Sequence, residues 1–391
     1  MTVMKKIGTG AFIAAGAIGL NALKNAVTFP ATPAFYDPPS PLGTGEPGEI
    51  VRVEEIPWIM RTPGWRMLYR STDRLGNPTV VSGLLVAPAG EAPASGWPVV
   101  AIAHGTAGLP RGAAPSLTID ANSDETNHLY ATNLKPFLDA GYAVAFSDYQ
   151  GLGAPGEHSY LVGTVEAANV LDSVRAIRRF SGIPVSDHLI VWGHSQGGHA
   201  AAFAVELAPS YAPELSVVGA VLVAPAAELR GIIDAVLEIE DHSFMSILVM
   251  VSVASWVRAY PELQEADALK GPGKLLLHPS AEVLRMKYGA LCCKPFTPNQ
   301  LFHASVIDTW APIFDENTPG QRPMGVPVLI EQGEDDNVIP PQTTRSFVAR
   351  LQANGEDVTF NTYPGADHLS VLDQGTPDAI AWMVGLPPEE S

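Results

Sequence analysis

Cysteine is nearly missing from this 391-residue chain: there are two, Cys292 and Cys293, side by side. Neighbours cannot close an ordinary loop, so they are two free thiols or a strained vicinal pair, and a disulfide framework is excluded. No Cys-x-x-Cys or His-Glu-x-x-His spacing occurs among the two cysteines and ten scattered histidines. The sequence therefore implies no metal and no other cofactor. Basic residues are also few, 23 Lys and Arg against 41 Asp and Glu, which leaves a formal charge of -18. A chain so acidic is repelled by nucleic acid and gains nothing from anionic lipid, so a neutral small-molecule substrate fits better than either polyanion. Charged residues amount to only 16% against 46% hydrophobic, a balance that excludes a disordered chain and allows a large buried core. The length exceeds one ordinary domain but suits one large α/β domain carrying an insertion.

Long uncharged apolar runs are scarce as well. One, Ile7 to Leu23, follows two lysines within the first six residues and has the form of a secretory n-region and h-region, although a good small-x-small cleavage site is missing. Export or attachment to the cell envelope is expected, with a cytoplasmic tail as the alternative, and residues 1–30 are read as a signal-like or anchor segment outside the fold. A second run, Phe244 to Val257, is too short and too closely flanked by charge to span a bilayer.

What is present is a rhythm. Ile50 to Trp58, Trp65 to Arg70 and Pro78 to Val86 carry strand patterns, with a turn at Leu75-Gly76-Asn77, and suggest an antiparallel start to a sheet. From Val99 the strands become continuous apolar runs, at Val99 to Ala103, Tyr142 to Phe146, Leu189 to Trp192, Val217 to Val223 and Val326 to Ile330. Such runs mark strands buried on both faces. Helical spacing lies between them, clearest in Val165 to Phe180. Buried strands alternating with amphipathic helices predict an α/β fold with a mostly parallel central sheet and helices on both faces. The rhythm stops over residues 227–323, where helix-like pieces at Gly231 to Ile239, Phe244 to Tyr260, Ser280 to Tyr288 and Asn299 to Phe314 predict an inserted helical lid or cap. It resumes over 324–391, so the sheet domain comprises 31–226 and 324–391.

Chemistry is concentrated where one buried strand stops. Leu189 to Trp192 runs into Gly193-His194-Ser195-Gln196-Gly197 and then into an alanine-rich helical stretch. This is the Gly-x-Ser-x-Gly elbow, in which glycines remove the Cβ atoms that would clash at a sharp strand-to-helix turn and leave the serine hydroxyl exposed. A serine needs a base, and the base needs a carboxylate that fixes its tautomer. His368, after the last strand pattern Val358 to Thr362, is the only histidine beyond the acidic loop Gly333 to Pro340. In that loop Glu334, Asp335 and Asp336 compete for the acid's place. The serine, acid, histidine order is that of α/β-hydrolases. Backbone donors for a developing oxyanion are expected at Gln196, after the nucleophile, and in the loop His104-Gly105-Thr106 after the Val99 strand. Gly151-Leu152-Gly153-Ala154-Pro155-Gly156 matches a dinucleotide fingerprint only formally. Pro155 removes an N–H from any phosphate cradle, and the next helix starts too late.

Together these residues resemble the secretory lipase family, the lipase A type of α/β-hydrolase, over nearly everything from Phe35 to Leu386. The resemblance rests on Phe35-Tyr36-Asp37-Pro38-Pro39, Val81-Ser82-Gly83, His104-Gly105-Thr106, Ser147-Asp148-Tyr149-Gln150-Gly151, the elbow, the acidic loop and Gly365-Ala366-Asp367-His368. It implies Ser195, Asp336 and His368 as the catalytic set, with Asp335 the fallback acid. It also implies hydrolysis of carboxylic esters, often acylglycerols, and a helical lid between serine and acid that contacts a lipid interface transiently. Tyr149, His194, Phe244 and Trp256 are the candidate substrate contacts. An acyltransferase using the same triad and a non-catalytic binding protein on the same fold are the alternatives, and oligomeric state stays open.

Overall fold

The computed structural model describes residues 31–56, 62–118, 134–240, 245–277 and 296–386. The leader, Phe244, the cysteine pair and the helix expected at Ser280 to Tyr288 lie outside the described residues. Nine strands are formed among the described residues: β1 (Ile50–Glu55), β2 (Gly64–Thr72), β3 (Pro78–Val86), β4 (Trp97–Ala103), β5 (Ala143–Ser147), β6 (Val185–His194), β7 (Val217–Val223), β8 (Val328–Gly333) and β9 (Val358–Tyr363). They build one sheet in the order β1-β2-β3-β5-β4-β6-β7-β8-β9. Pairing is antiparallel from β1 to β5 and parallel from β5 through β4 to β9. The strand patterns of the sequence thus fall where the sheet has its strands. The edge strand β1 carries Arg52, Glu54 and Glu55 and is largely open to solvent, which discourages pairing with another chain.

Both faces of the parallel part are covered because both are apolar. The main helices are α1 (Gly163–Arg179), α2 (Gln196–Tyr211), α3 (Leu229–Leu237), α4 (Met245–Ala259), α5 (Pro341–Ala353) and α6 (Ser370–Val384). On one face Val99, Ala101, Leu189 and Val191 pack with Val170, Leu171 and Val174 of α1 and Ala201, Val205 and Ala208 of α2. On the other, Val100, Ile102, Ile190 and Leu329 pack with Phe137, Val371, Leu372 and Met383. The alternation of successive strand residues between these clusters is the period of two of a pleated strand.

Between β7 and β8 the described elements are helical, and their core is separate. Ile232, Val236, Met250, Trp256, Leu301 and Trp310 bury one another there, and the same cluster reaches the sheet domain at Leu109, Tyr160 to Val162 and Ile339. The single helix expected over Asn299 to Phe314 is instead three short pieces, Pro298–Leu301, Val306–Thr309 and Ala311–Glu316. Two local causes break it. Phe302 is extended (φ -116, ψ 151) and bridges to Leu269. Pro312, lacking an N–H, is tolerated only in the first turn of the last piece. Among the described residues no helix is long and apolar enough to cross a membrane.

Candidate active site

Strand β6 delivers Ser195 at the C-terminal edge of the sheet, where ligand-binding loops gather in parallel folds. Ser195 has φ 60 and ψ -119, a backbone region costly for a residue with a Cβ. Neighbours hold it there. Its N–H donates to the Val223 carbonyl at 2.9 Å, and its carbonyl accepts from His199 and Ala226, both at 3.1 Å. Glycine is required on either side: a Cβ on Gly193 would stand 2.0 Å from the Gly197 carbonyl oxygen, and one on Gly197 would stand 1.8 Å from that of Ala103.

The connection after β9 returns His368 to this point. Its Nε2 lies 3.0 Å from Ser195 Oγ, and its Nδ1 lies 2.8 Å from Asp336 Oδ2. With Nδ1–H donating to the carboxylate, Nε2 keeps the lone pair that can accept the serine proton. Of the three competing acids, Asp335 is exposed and Glu334 pairs with Arg345 at 2.7 and 2.5 Å. Only Asp336 reaches the histidine. Asp336 is itself fixed by the N–H groups of Val338 and Ile339, both 2.8 Å from Oδ1, and by Gln332 Nε2, 3.1 Å from Oδ2. Gln332 was not singled out by sequence reasoning. Its only trace is a polar residue ending the apolar strand β8.

The predicted oxyanion loop packs against the elbow. A Cβ on Gly105 would be 3.8 Å from Ser195 Cβ. The Thr106 hydroxyl is hydrogen-bonded to Tyr160 Oη at 2.9 Å. The His104 ring is turned inward rather than toward the serine. Its Nδ1 sits 2.6 Å from the Gly105 carbonyl oxygen and its Nε2 3.2 Å from that of Asp148. Burial lowers its pKa, which favours the neutral ring.

The predicted substrate contacts are placed differently from one another. Tyr149 is fully buried and donates its hydroxyl to the His104 carbonyl at 3.0 Å. His194 Nε2 donates to the carbonyl of His368 at 2.9 Å, beneath the base. Trp256 of α4 is buried and donates its indole N–H to the Tyr160 carbonyl at 3.1 Å, which fastens the helical insertion to the sheet domain. A cleft of about 580 Å³ lies beside α4, between Val257, Arg258, Leu263 and Lys274, and none of the three triad residues lines it.

Behind the serine is a polar cluster that composition and spacing do not reveal. Glu166, in the first turn of α1, accepts from the Leu161 N–H at 2.9 Å and from the Gln196 amide at 2.6 Å, and lies 3.3 Å from His199 Nδ1. His199 Nε2 donates to the Asn317 carbonyl at 2.8 Å. His158 donates from Nδ1 to the Gln150 carbonyl at 2.9 Å, and burial pushes its pKa down to about 4. It is therefore a neutral acceptor beside Gln196. The spacing of Gln196 and His199, three residues apart on α2, lets both face one carboxylate.

A nucleophile elbow on a mostly parallel sheet, with acid and histidine supplied by the loops after β8 and β9, defines an α/β-hydrolase of the serine-hydrolase class. The secretory lipase family profile matches residues 122–284, and that of the prolyl oligopeptidase family matches residues 299–383. Lipase 10 of Candida albicans is 25% identical over 91% of this chain and 81% of its own. A Mycobacterium tuberculosis relative named a probable inactive lipase is 24% identical over 90% and 81%. The solved structure of Candida antarctica lipase A in its closed state superposes with a TM-score of 0.75 at 21% identity, covering 93% of this chain and 89% of that one. The esterase LipA of Xanthomonas oryzae does so with 0.70 at 17% identity, covering 88% and 99%. The chain is thus similar to the secretory lipases and is a carboxylic-ester hydrolase.

Proposed function

We propose that the protein cleaves neutral acyl esters by two-step acyl transfer through Ser195, His368 and Asp336. The observation that carries this reading is the unbroken line of hydrogen bonds, 3.0 Å from Ser195 to His368 and 2.8 Å from His368 to Asp336. Ser195 Oγ attacks the ester carbonyl while its proton passes to His368 Nε2. The imidazolium so formed is stabilised by Asp336 and returns the proton to the leaving alcohol. Water, deprotonated by the same nitrogen, then attacks the acyl-enzyme and frees the acid and Ser195. Backbone N–H groups of Gln196, Gly105 and Thr106 receive the negative charge of each tetrahedral intermediate.

The helical insertion, with its separate apolar core, acts as the cap that takes the acyl chain and meets the lipid surface. A relative from Malassezia furfur is named a secreted triacylglycerol lipase, and acylglycerols are the substrates assigned to this chain. The assigned site of action is outside the cell or in its envelope, in keeping with the signal-like run Ile7 to Leu23. Replacing Ser195 by Ala should abolish hydrolysis of p-nitrophenyl and glyceryl esters and leave the circular dichroism spectrum unchanged. Retained turnover would refute the assignment.

A further inference from the structure

The two carbonyls of the loop after β4 are both held by side chains behind it. Tyr149 Oη donates to the His104 carbonyl at 3.0 Å, and His104 Nδ1 lies 2.6 Å from the Gly105 carbonyl oxygen. A trans peptide unit is planar, with its C=O and N–H pointing in opposite directions. Fixing the His104 carbonyl therefore fixes the Gly105 N–H, and fixing the Gly105 carbonyl fixes the Thr106 N–H, each directed away from the side chain that holds its peptide. Among the described residues neither N–H has a protein acceptor.

The groups behind the loop are rigid. Tyr149 is fully buried at φ 68, with its ring 4.5 Å from that of His104. The adjoining Asp148 carboxylate accepts from Ser82 Oγ at 2.6 Å and from the Ser116 N–H at 2.9 Å, and the Asp148 carbonyl is the one facing His104 Nε2. Residues 147–149 thus form a fixed rear wall, and Gly105 stands between it and Ser195.

We propose that Tyr149 and His104 are positioning residues that hold two consecutive peptides in the orientation an oxyanion hole requires, with Tyr149 setting the Gly105 N–H and His104 setting the Thr106 N–H. The inference rests on the ester-hydrolase reading and assigns His104 a proton on Nδ1. Its side chain orients a donor and is not one itself. Without these bonds the loop peptides are free to rotate, and a flipped peptide turns a carbonyl toward the developing negative charge.

The test uses the full chain and a soluble p-nitrophenyl ester. Tyr149→Phe keeps the ring and removes one bond. His104→Gln puts an amide N–H near the Nε2 position and leaves none near Nδ1, whereas His104→Asn keeps a donor near the Nδ1 position. Losing an oxyanion donor outright costs about 100-fold to 1,000-fold in kcat, so a loosened one should cost roughly 10-fold to 100-fold. Tyr149→Phe and His104→Gln are expected to lower kcat by that factor with KM within about twofold and the acidic limb of the pH profile unmoved. The affinity for a trifluoromethyl ketone, whose hemiketal carries the oxyanion, should fall in parallel. His104→Asn should lose at least about tenfold less than His104→Gln, an order that a purely space-filling role would reverse. Wild-type kcat in both Tyr149→Phe and His104→Gln would overturn the proposal, as would lost kcat with undiminished ketone affinity. Ser195→Ala runs beside them: activity surviving there sinks the ester-hydrolase reading itself, while an inert Ser195→Ala with undisturbed Tyr149→Phe and His104→Gln sinks only this inference. Should any of these variants fail to fold, the remaining ones decide.

Discussion

Asp336 and Asp335 are neighbours of identical chemistry, yet the loop gives them opposite surroundings. Asp336 is buried, accepts two backbone N–H groups and the Gln332 amide, and spends its remaining capacity on His368. Asp335 is exposed. In the proposed mechanism Asp336→Asn offers His368 an amide in place of an anion and selects the wrong tautomer, so kcat should drop by roughly 1,000-fold to 10,000-fold. Asp335→Asn should stay within about twofold of the parent, because its side chain reaches no reacting group. Initial rates of both variants on one ester check this, and equal losses would move the acid's role. The resemblance to the secretory lipases pointed to Asp336, whereas the three carboxylates alone left it undecided. Spacing along a chain says nothing about which of two adjacent side chains turns inward.

The elements show the same division between what periodicity can and cannot carry. Strands such as β4 and β6 were legible because burial on both faces demands uninterrupted apolar runs, and α1 because one face of it must meet the sheet. The helix expected across Asn299 to Phe314 was misread because apolar spacing does not register the bridge from Phe302 to Leu269 or the proline that opens the next turn. Glu166 was illegible for another reason. An acid in the first turn of a helix looks like an ordinary surface residue, and only the packing of α1 on α2 places it beneath Gln196 and His199. That placement makes it the joint between the two helices. Glu166→Ala would leave His199 Nδ1 facing an empty space and the Gln196 amide without its acceptor, at a cost of roughly 3 kcal/mol or more. Urea unfolding should show the free energy of unfolding falling by that amount, with the midpoint shifted down in proportion, and an unchanged midpoint would mean that the cluster is incidental to stability.

Two buried carboxylic acids outside the triad shape the behaviour of the whole molecule. Glu331, on β8 under α6, accepts from Tyr363 Oη at 2.9 Å and otherwise faces Gly375, and burial raises its pKa to about 7. Glu206 of α2 is likewise pushed up to about 7 by burial. In the folded state each keeps a proton that the unfolded chain has already released. The native state therefore binds more protons than the unfolded one between the ordinary carboxylate range and about pH 7, and stability must fall as the pH rises through that window. Above it the loss is complete and constant. Glu331→Gln, neutral at every pH, should flatten part of this slope and exceed the parent's stability at pH 8 by roughly 1 to 3 kcal/mol. Thermal melts from pH 4.5 to 8 measure it, and parallel curves for parent and variant would show that residue 331 does not titrate in this window.

Ser195 leaves the ribosome well before His368, which arrives only on the connection between β9 and α6. In the proposed mechanism a nascent or prematurely terminated polypeptide holds a nucleophile with nothing to deprotonate it, and is harmless to any ester it meets. Turnover measured in a crude extract would then count only molecules that extend past β9.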